Sequence, residues 1–575
     1  MSATVRARHI AAVLSAILAT ATCQAAAPSP YRPPTHVPIT GIGQRGDGSG
    51  IFPNDKPPTD FDETTGRNVR WKVPLANWGY SAPVPVGNRV LFLADADARF
   101  IWPVLYCFDA DSGQQVWSAE VNPLDAFPDV PAEERQRVTE TVRKLWDDNR
   151  ALFTAMAPLR ALNSADADHP QLVEANRQLA GRGLKVVRYS RSYGLLRYVE
   201  YPKNYKAPTL WQKYNIQPNL SNQGAGRTGD AFGTPVSDGE KVYVQTIHGT
   251  CAAFDIASGK RVWCRSIGGG QYREANHFMT SPRLYKDLVI AFFGDTNAGV
   301  DDVVVAYDRR TGEQRWRHKG KAKTHPDVQG SRPGASPFVV TINAVDVALF
   351  GCGWAIRMPD GHLYDQSIGN AVVPWAWDPK QQALFTCTSR DGASDRYRLD
   401  LAIVDGQLKS TPRWAISNSI SGFITLFYDG RVFSHAGYQY DPDNGFPKGE
   451  GVELSGQPLR DPHQIYRGAW AKSVVRSPRS RQFLLVANGH VYGLEARKSA
   501  TKPGEAAETV GVLEVYTLDG RKVSENILRQ PPTPEHLVCQ GFPDSTFSYS
   551  CPMNIGNDRL YIVSDQFLYC IGHDK

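Results

Sequence analysis

The sequence lacks several features that define common protein classes. No run of five or more basic residues occurs, although the net charge is +6 at pH 7, so we expect no nucleic-acid partner. After the N-terminal segment, no apolar run reaches the roughly 18 residues that a membrane-spanning helix needs. No Cys-x-x-Cys pair occurs, which excludes zinc-ribbon and thioredoxin-like domains. The His-Glu-x-x-His, Gly-x-Ser-x-Gly and P-loop patterns are also absent.

The N-terminal residues have the pattern of an export signal. Arg6 and Arg8 precede a short apolar run, and small residues follow as far as Ala27. We therefore predict a signal peptide over residues 1–27 and a periplasmic or secreted protein. Lipidation at Cys23 stays an open alternative.

Glycine and proline are abundant, with 50 and 40 residues, which is typical of a chain with many turns and short strands. One segment recurs with the same residues at fixed spacing: an aromatic residue, Asp, three residues, Gly, three residues and Trp. Its copies are residues 108–117, 254–263 and 307–316, with weaker copies at 61–71 and 515–520. Such a segment predicts a hairpin in which Asp caps the turn, Gly takes a positive φ and Trp packs outside the next strand.

A second element, often opened by X-Pro, supplies two apolar strands before each hairpin. It predicts eight units, which begin at Pro83, Pro235, Pro282, Pro337, Pro374, Phe423, Ser473 and Pro552. Repeats of about 40–50 residues with four strands are typical of β-propellers. The last unit stops after its third strand, and residues 68–75 form a lone strand before the first unit. We therefore predict an all-β fold: an eight-bladed β-propeller over residues 68–575, closed by an N-terminal strand.

The spacing between the first and second units is too long for one blade. Residues 131–157 carry apolar side chains at helical spacing, and a shorter helix is expected near residues 170–180. We predict a helical insertion over residues 123–229, after blade 1, which we call the insert. Residues 28–67 are expected to form an extended lead-in.

At its hairpins the sequence resembles the PQQ-like β-propeller superfamily. Residues 306–316 are similar to that family's docking motif, and Gly46-Asp-Gly-Ser-Gly50 is similar to the opening of its exported bacterial members. The resemblance implies pyrroloquinoline quinone and calcium as possible cofactors. The quinone dehydrogenases of the family also carry an adjacent Cys-Cys disulfide beneath the quinone, and this chain has no Cys-Cys pair. We therefore predict no cofactor and no metal site.

Two further patterns have simple interpretations. Gly41-Ile-Gly43-Gln-Arg-Gly46 matches a dinucleotide-binding fingerprint, but no strand precedes it and no helix follows, so we interpret the match as chance. Cys251 and Cys264 lie symmetrically about a turn, which predicts a disulfide across the hairpin. Cys539 and Cys551 are the next pair, and buried free thiols are the alternative.

Candidate functional residues follow from their places in the repeat. In a propeller, the segments before the innermost strands and the second-to-third-strand loops meet at one mouth of the central channel. The preceding segments contain Trp78, Tyr80, Asp230, Arg273, His277, Arg332, Asn370, Ser419, Trp470 and Tyr549. The loops contain Asp95, Asp97, Arg99, His248, Asp295, Trp354, Arg390, His435, His490 and Asp565.

From this set we predict a ligand-binding mouth made of Trp78, Tyr80, Arg273, His277, Arg332, Asn370 and Trp470. His248, His277 and His435 are candidate acids or bases, and the arginines suit a carboxylate. The first hypothesis is an exported binding or scaffold protein, a monomer whose partner is a small polar ligand, a saccharide or another envelope protein. The alternatives are a lyase acting on acidic sugars and a quinone-dependent oxidoreductase, so whether the chain is an enzyme stays open. The alternative is that these side chains are only solvent-exposed, since the mouth of a propeller without a ligand would carry a similar set.

Overall fold

Eight sheets of antiparallel strands follow one another along the chain, and two N-terminal strands join the last two of these sheets. The computed structural model describes these residues: 28–77, 79, 81–95, 100–156, 170, 173–174, 177, 180, 185–188, 198–200, 213–214, 233–246, 249–267, 281–293, 301–321, 335–369, 371, 375–390, 393–418, 424–434, 437–446, 448, 484–498, 509–529, 553–564 and 566–574. We number the sheets as blades 1 to 8 in chain order.

The first three blades hold the three full copies of the recurrent hairpin, and blade 4 follows them. Blade 1 consists of Val84–Val86, Arg89–Ala94, Val104–Asp109 and Gln115–Glu120. Blade 2 consists of Val236–Ser237, Lys241–Gln245, Thr250–Asp255 and Arg261–Ser266. Blade 3 consists of Arg283–Tyr285, Leu288–Phe293, Asp302–Asp308 and Gln314–Gly320. Blade 4 consists of Phe338–Ile342, Val345–Leu349 and Ala355–Arg357.

The last four blades are less regular. Blade 5 consists of Ala376–Asp378, Ala383–Arg390, Ala393–Val404 and Gln407–Asn418. Blade 6 consists of Ile424–Tyr428, Arg431–Ser434 and Gln439–Tyr440. Blade 7 consists of Leu484–Ala487, His490–Lys498, Thr509–Thr517 and Lys522–Leu528, with Ile51–Phe52 added in parallel to its first strand. Blade 8 consists of Met553–Gly556, Arg559–Val563, Phe567–Gly572 and the N-terminal strand Val69–Pro74.

These sheets confirm the prediction of an all-β, eight-bladed propeller. The inner strands are almost wholly apolar because neighbouring blades cover both of their faces. All residues of Arg89–Ala94 and Leu288–Phe293 are buried, whereas the fourth strand of blade 1, Gln115–Glu120, is half exposed. The core therefore lies between blades, as where Leu91 and Leu93 pack with Val242 of the next blade.

Tryptophans join each of several blades to the next. The indole Nε1 donates to a backbone carbonyl of the following blade in five pairs: Trp71–Ala110, Trp117–Ile256, Trp263–Arg309, Trp316–Pro359 and Trp414–Pro442. The turn geometry is also as predicted, since the Asp109 carboxylate accepts from the backbone N–H groups of Asp111 and Ser112. Gly113 in the same turn has a φ of 72°.

The predicted disulfide between Cys251 and Cys264 is wrong, because both cysteines are buried free thiols. Phe254 pairs with Arg261, but Ala253 pairs with Trp263, so Val262 is an extra, bulged residue. This bulge shifts the register by one and places Cys251 opposite Arg265 instead of Cys264. The two thiols therefore lie on opposite faces of blade 2, in different core clusters. Cys539 and Cys551 lie outside the described residues.

The described part of the insert begins with the 3-10 helix Pro123–Ala126 and one long helix, Ala132–Met156. Val138 and Val142 of the long helix pack with Ile101 and Trp102 of blade 1. Two short paired strands, Lys185–Arg188 and Tyr198–Glu200, follow, which the sequence interpretation did not include. Most of the helix expected near residues 170–180 falls outside the described residues. No helix in the described ranges is both long and apolar enough to cross a membrane.

Candidate functional site

The structure places a channel where the first strands of neighbouring blades meet. First strands contact each other between blades 1 and 8, 2 and 3, 5 and 6, 6 and 7, and 7 and 8. We call the end that carries the second-to-third-strand loops the mouth and the opposite end, with the first-to-second-strand turns, the floor. The predicted binding and catalytic residues all lie outside the described residues: Trp78, Tyr80, His248, Arg273, His277, Arg332, Asn370, His435 and Trp470. Their roles stay predictions.

Two residues of the wider predicted set do not line the mouth as expected. Trp354 lies in the second-to-third-strand loop of blade 4, as predicted, but its side chain is buried between blades, with its ring edge-on to His318 at 6.4 Å between centroids. His490 begins the second strand of blade 7 and therefore lies at the floor end. The sequence interpretation started this blade one strand too early, because Asn488 and Gly489 form a tight turn with positive φ between the first two strands.

Hydroxyl side chains link the segments that precede the first strands of blades 1 to 4. The N–H of Ala82 donates to Thr234 Oγ1 at 3.0 Å. The N–H of Thr234 donates to Ser281 Oγ at 2.9 Å, and the N–H of Ser281 donates to Ser336 Oγ at 2.9 Å. We call Thr234, Ser281 and Ser336 the hydroxyl belt. Each hydroxyl accepts a backbone N–H from the preceding blade, so the belt holds the channel wall in a fixed geometry.

A glycine-rich segment, residues 41–52, crosses the floor of the channel, and we call it the plug. Ile42 pairs with Ser237 of blade 2, and Ile51–Phe52 pairs with blade 7. The carbonyl of Gly43 accepts from Asn554 Nδ2 of blade 8. Gln44 Oε1 accepts from Ser336 Oγ of the hydroxyl belt at 2.8 Å. The plug is therefore attached to blades on both sides of the channel.

Other side chains approach the backbone of the plug so closely at two positions that only glycine fits there. At Gly41 a β-carbon would lie 2.7 Å from Cγ2 of Val236 and 2.8 Å from Cδ1 of Leu284. At Gly50 it would lie 2.5 Å from an Nη2 atom of Arg45. Sequence reasoning had assigned the match at residues 41–46 to chance, and the density of glycines in residues 41–50 was the signal that it missed.

Two buried arginines fix the plug to the wall. Arg283, on the first strand of blade 3, donates to the carbonyls of Gln44 and Gly46, both at 3.3 Å. Arg45 donates to the carbonyl of Ser49 at 3.0 Å within the plug, and to the carbonyl of Leu484, on the first strand of blade 7, at 3.5 Å. Burial lowers the pKa of the Arg283 guanidinium to about 10, although Asp47 opposes this shift. Arg283 is therefore positively charged at neutral pH, and the floor carries cationic charge.

The insert lies beside the mouth at blade 1. Val121 donates to the carbonyl of Pro103, which belongs to the second-to-third-strand loop of blade 1. Asp125 accepts from Arg135 of the long helix at 3.0 Å and also contacts Arg261 of blade 2. Burial raises the pKa of Glu120 to about 7; Asn122 and Arg143 lower it, and Asp125 raises it further. A carboxyl group that titrates near neutral pH thus lies where the insert leaves the propeller.

The described residues do not fit a quinone–calcium centre. No three His, Cys, Asp or Glu side chains within the described ranges are arranged to hold a metal ion. The hydroxyls of the belt already accept backbone hydrogen bonds, and Gln44 extends from the plug to Ser336. We assign no reaction step to such a centre.

The ring of eight blades around a channel defines the class of the chain as a β-propeller. The family model described as outer membrane protein assembly factor BamB matches residues 59–169 and 208–318. Over those two segments the chain is similar to PQQ-like β-propeller repeat proteins.

Curated relatives match over short stretches. Quinohemoprotein alcohol dehydrogenase of Comamonas testosteroni is 38% identical over 77 residues, which cover 13% of this chain and 11% of that protein. Quinohemoprotein alcohol dehydrogenase ADH IIB of Pseudomonas putida is 35% identical over 79 residues, which cover 14% and 11%. The matches span about a tenth of the length of these relatives.

Solved structures match the chain at low sequence identity and low TM-score. BamB from Moraxella catarrhalis is 11% identical with a TM-score of 0.32, and the likeness covers 87% of this chain and 98% of that chain. A europium-containing methanol dehydrogenase is 12% identical with a TM-score of 0.33, covering 91% and 82%. Quinohemoprotein alcohol dehydrogenase from Comamonas testosteroni is 13% identical with a TM-score of 0.32, covering 90% and 79%.

Proposed function

We propose that the chain is an exported binding or scaffold protein that takes its ligand at the mouth of the channel. The plug is the observation that carries this proposal. It is attached to blades 2, 3, 7 and 8 and reaches Ser336 of blade 4, so a ligand enters from the mouth alone. A channel with one open end suits a binding protein with a rigid wall.

The charge of the floor and the residues predicted at the mouth favour an acidic ligand. Arg283 and Arg45 are cationic and buried at the floor. Arg273 and Arg332 are the predicted cations at the mouth, and a guanidinium binds a carboxylate with two parallel hydrogen bonds. We therefore propose an oligosaccharide of uronic acids as the ligand class, with a carboxylate-bearing envelope protein as the alternative partner.

The test is calorimetric titration of the full chain with neutral and uronic-acid oligosaccharides of equal length. We expect only the acidic sugars to bind, and Arg332→Ala to weaken their binding by about tenfold or more because a charge-assisted pair is lost. Arg521→Ala is the matched control, since Arg521 is an exposed arginine in the third-to-fourth-strand turn of blade 7, at the floor end.

The proposal fails if the two classes of sugar bind equally, if neither binds, or if Arg332→Ala and Arg521→Ala behave alike. The same mixtures distinguish the enzyme alternative, because a lyase would release an unsaturated sugar that absorbs ultraviolet light. Accumulation of that product, abolished by His277→Ala, would replace the binding proposal with a catalytic one.

A further inference from the structure

The chain contains two Asn-Gly pairs, and the structure places them in different surroundings. Asn488 and Gly489 form the two-residue turn between the first two strands of blade 7. Asn444 and Gly445 lie in the turn that follows the last described strand of blade 6. An asparagine before glycine can close a succinimide ring onto the backbone, because glycine carries no β-carbon beside the attacking nitrogen. The reaction requires a free side-chain amide and a free N–H of the glycine.

At Asn444 both reacting groups are held by hydrogen bonds. The side-chain Oδ1 of Asn444 accepts from the N–H of Phe446 at 2.9 Å. The N–H of Gly445 donates to the carbonyl of Asp441 at 2.8 Å. Gly445 is buried and Asn444 is half-buried. Ring closure at Asn444 therefore requires that both hydrogen bonds break and that the turn opens.

At Asn488 the same two groups face solvent, since Asn488 and Gly489 are both exposed. Within the described residues, neither the side-chain amide of Asn488 nor the N–H of Gly489 forms a hydrogen bond. The backbone carbonyl of Asn488 lies 2.8 Å from Nδ1 of His490, and this contact leaves the side chain of Asn488 free. Rotation of the two turn residues therefore breaks no hydrogen bond that they donate to a described residue.

We propose that Asn488 is a site of spontaneous deamidation in the folded chain. The backbone nitrogen of Gly489 attacks Cγ of Asn488, and a new N–C bond closes the succinimide ring. The bond from Cγ to the side-chain nitrogen breaks, and this nitrogen takes the proton of the Gly489 N–H and leaves as ammonia. Water then opens the ring at either of its carbonyl groups, which gives aspartate or isoaspartate. Water is the only co-reactant, and nothing is oxidised or reduced.

The proposed site borders the plug. Ala487 precedes Asn488 and pairs with Phe52 of the plug, and the N–H of Val486 donates to the carbonyl of Gly50 at 2.8 Å. Each reaction replaces a neutral amide with a carboxylate, and isoaspartate also brings the methylene of the side chain into the backbone. Deamidation therefore adds a negative charge at the floor end, where the plug is attached to blade 7.

The test is peptide mapping of the full folded chain after incubation in heavy-oxygen water at mildly alkaline pH. Digestion follows in ordinary water, so only deamidation during the incubation incorporates the heavy isotope. We expect Asn488 to react about tenfold faster than Asn444 or more, because the hydrogen bonds at Asn444 must break first. Both aspartate and isoaspartate are expected at position 488.

The same chain denatured in urea is the matched control, because both Asn-Gly pairs are then released from their turns. We expect their rates to lie within about threefold of each other in urea. Asn488→Gln keeps an amide at this position but lengthens the side chain, which disfavours ring closure. We expect position 488 of this variant to stay unmodified over the same incubation and Asn444 to react as in the wild type.

The proposal is overturned if Asn444 reacts as fast as Asn488 in the folded chain, or if Asn488 stays unmodified there while the denatured chain reacts. It is also overturned if position 488 gains aspartate alone, because hydrolysis without a ring produces no isoaspartate. If the preference for Asn488 were as large in urea, neighbouring residues and not the two turns would set the rates, and the structural argument would be wrong.

Discussion

The indole ring of Trp263 rests on Gly312 of the next blade so closely that a β-carbon at Gly312 would lie 2.7 Å from Cδ2 of the ring. The same tryptophan donates from Nε1 to the carbonyl of Arg309 at 3.0 Å. Gly312 has a φ of 69°, so both its backbone conformation and its missing side chain are needed. The contact recurs between Trp117 and Gly259, again at 2.7 Å. The Trp of one copy of the repeat and the Gly of the next copy therefore form the joint between neighbouring blades.

Gly312→Ala is expected to destabilise the propeller strongly. The added methyl group must displace the indole ring, and alanine is strained at this φ, so we expect the free energy of unfolding to fall by about 2–4 kcal/mol. Urea denaturation measures the loss. Gly406→Ala is the matched control, because Gly406 has a φ of 73° but no heavy atom within 4 Å of the site of its β-carbon. It isolates the backbone strain, for which we expect about 1 kcal/mol. Equal losses in the two variants would contradict the packing argument.

The sequence was sufficient for the blades because their joints depend on local requirements. An Asp that caps a turn, a Gly with positive φ and a Trp four residues after the Gly each have one structural reason, so the residue types alone reveal the repeat. The Cys251 pairing could not be predicted in the same way. It depends on one bulged residue, Val262, which pairs with nothing and has no distinctive residue type.

The plug and the start of blade 7 were missed for another physical reason. Gly41 approaches Val236, which is distant in sequence, so this contact exists only after the ring has formed. Gly50 approaches the side chain of Arg45, which folds back over the plug in a way that no residue pattern indicates. In blade 7, no X-Pro marks the first strand, so the Asn488-Gly489 turn was taken for a later one. The predicted residues of the mouth depend on long loops, and they stay predictions.

The plug gives a second prediction. Gly41→Val is expected to detach the plug, since its side chain would collide with Val236 and Leu284. Arg45 is 2% exposed in the wild type, so trypsin cannot reach its peptide bond. We expect cleavage after Arg45 to become about tenfold faster or more in Gly41→Val, as measured by mass spectrometry of the fragments. Gly66→Val is the control, because Gly66 also has a positive φ, 79°, but no atom within 4 Å. Unchanged protection of Arg45 in Gly41→Val would show that the segment tolerates a side chain.

The bulge at Val262 gives a third prediction, on the state of the cysteines. Cys251 and Cys264 are expected to remain thiols in protein that was purified under oxidising conditions. Burial raises the pKa of both thiols, which keeps them protonated and unreactive in the folded chain. We expect both to be alkylated without reductant once the chain is denatured, and neither before. Any effect of reductant on the unfolding midpoint should be the same in the wild type and in Cys264→Ser. A peptide that contains Cys251 linked to Cys264 would contradict the register.

Glu120 gives a fourth prediction, on pH. Its pKa is raised by burial from a usual value of 4.5 to about 7, so the folded chain binds this proton more tightly than the unfolded chain. Ionisation of Glu120 therefore destabilises the folded chain, whereas ionisation of an ion-paired carboxylate stabilises it. Below the unfolded pKa of 4.5, Glu120 is protonated in both states and does not lower the free energy of unfolding. Between the two pKa values this free energy falls as the pH rises, and above about pH 7 the loss is complete.

Glu120→Gln removes the charge and keeps the hydrogen bond that Asn122 Nδ2 donates to position 120. We expect this variant to match the wild type near about pH 4 and to exceed its free energy of unfolding by on the order of 2 kcal/mol near about pH 8. Urea denaturation at the two pH values measures the difference. Glu313→Gln is the control, since Glu313 is exposed in the turn of blade 3 and should show no pH-dependent gain. If Glu120→Gln gained nothing at the higher pH, the Glu120 carboxylate would have to be solvated or paired with Arg143, and the insert would then leave the propeller without a titrating group beneath it.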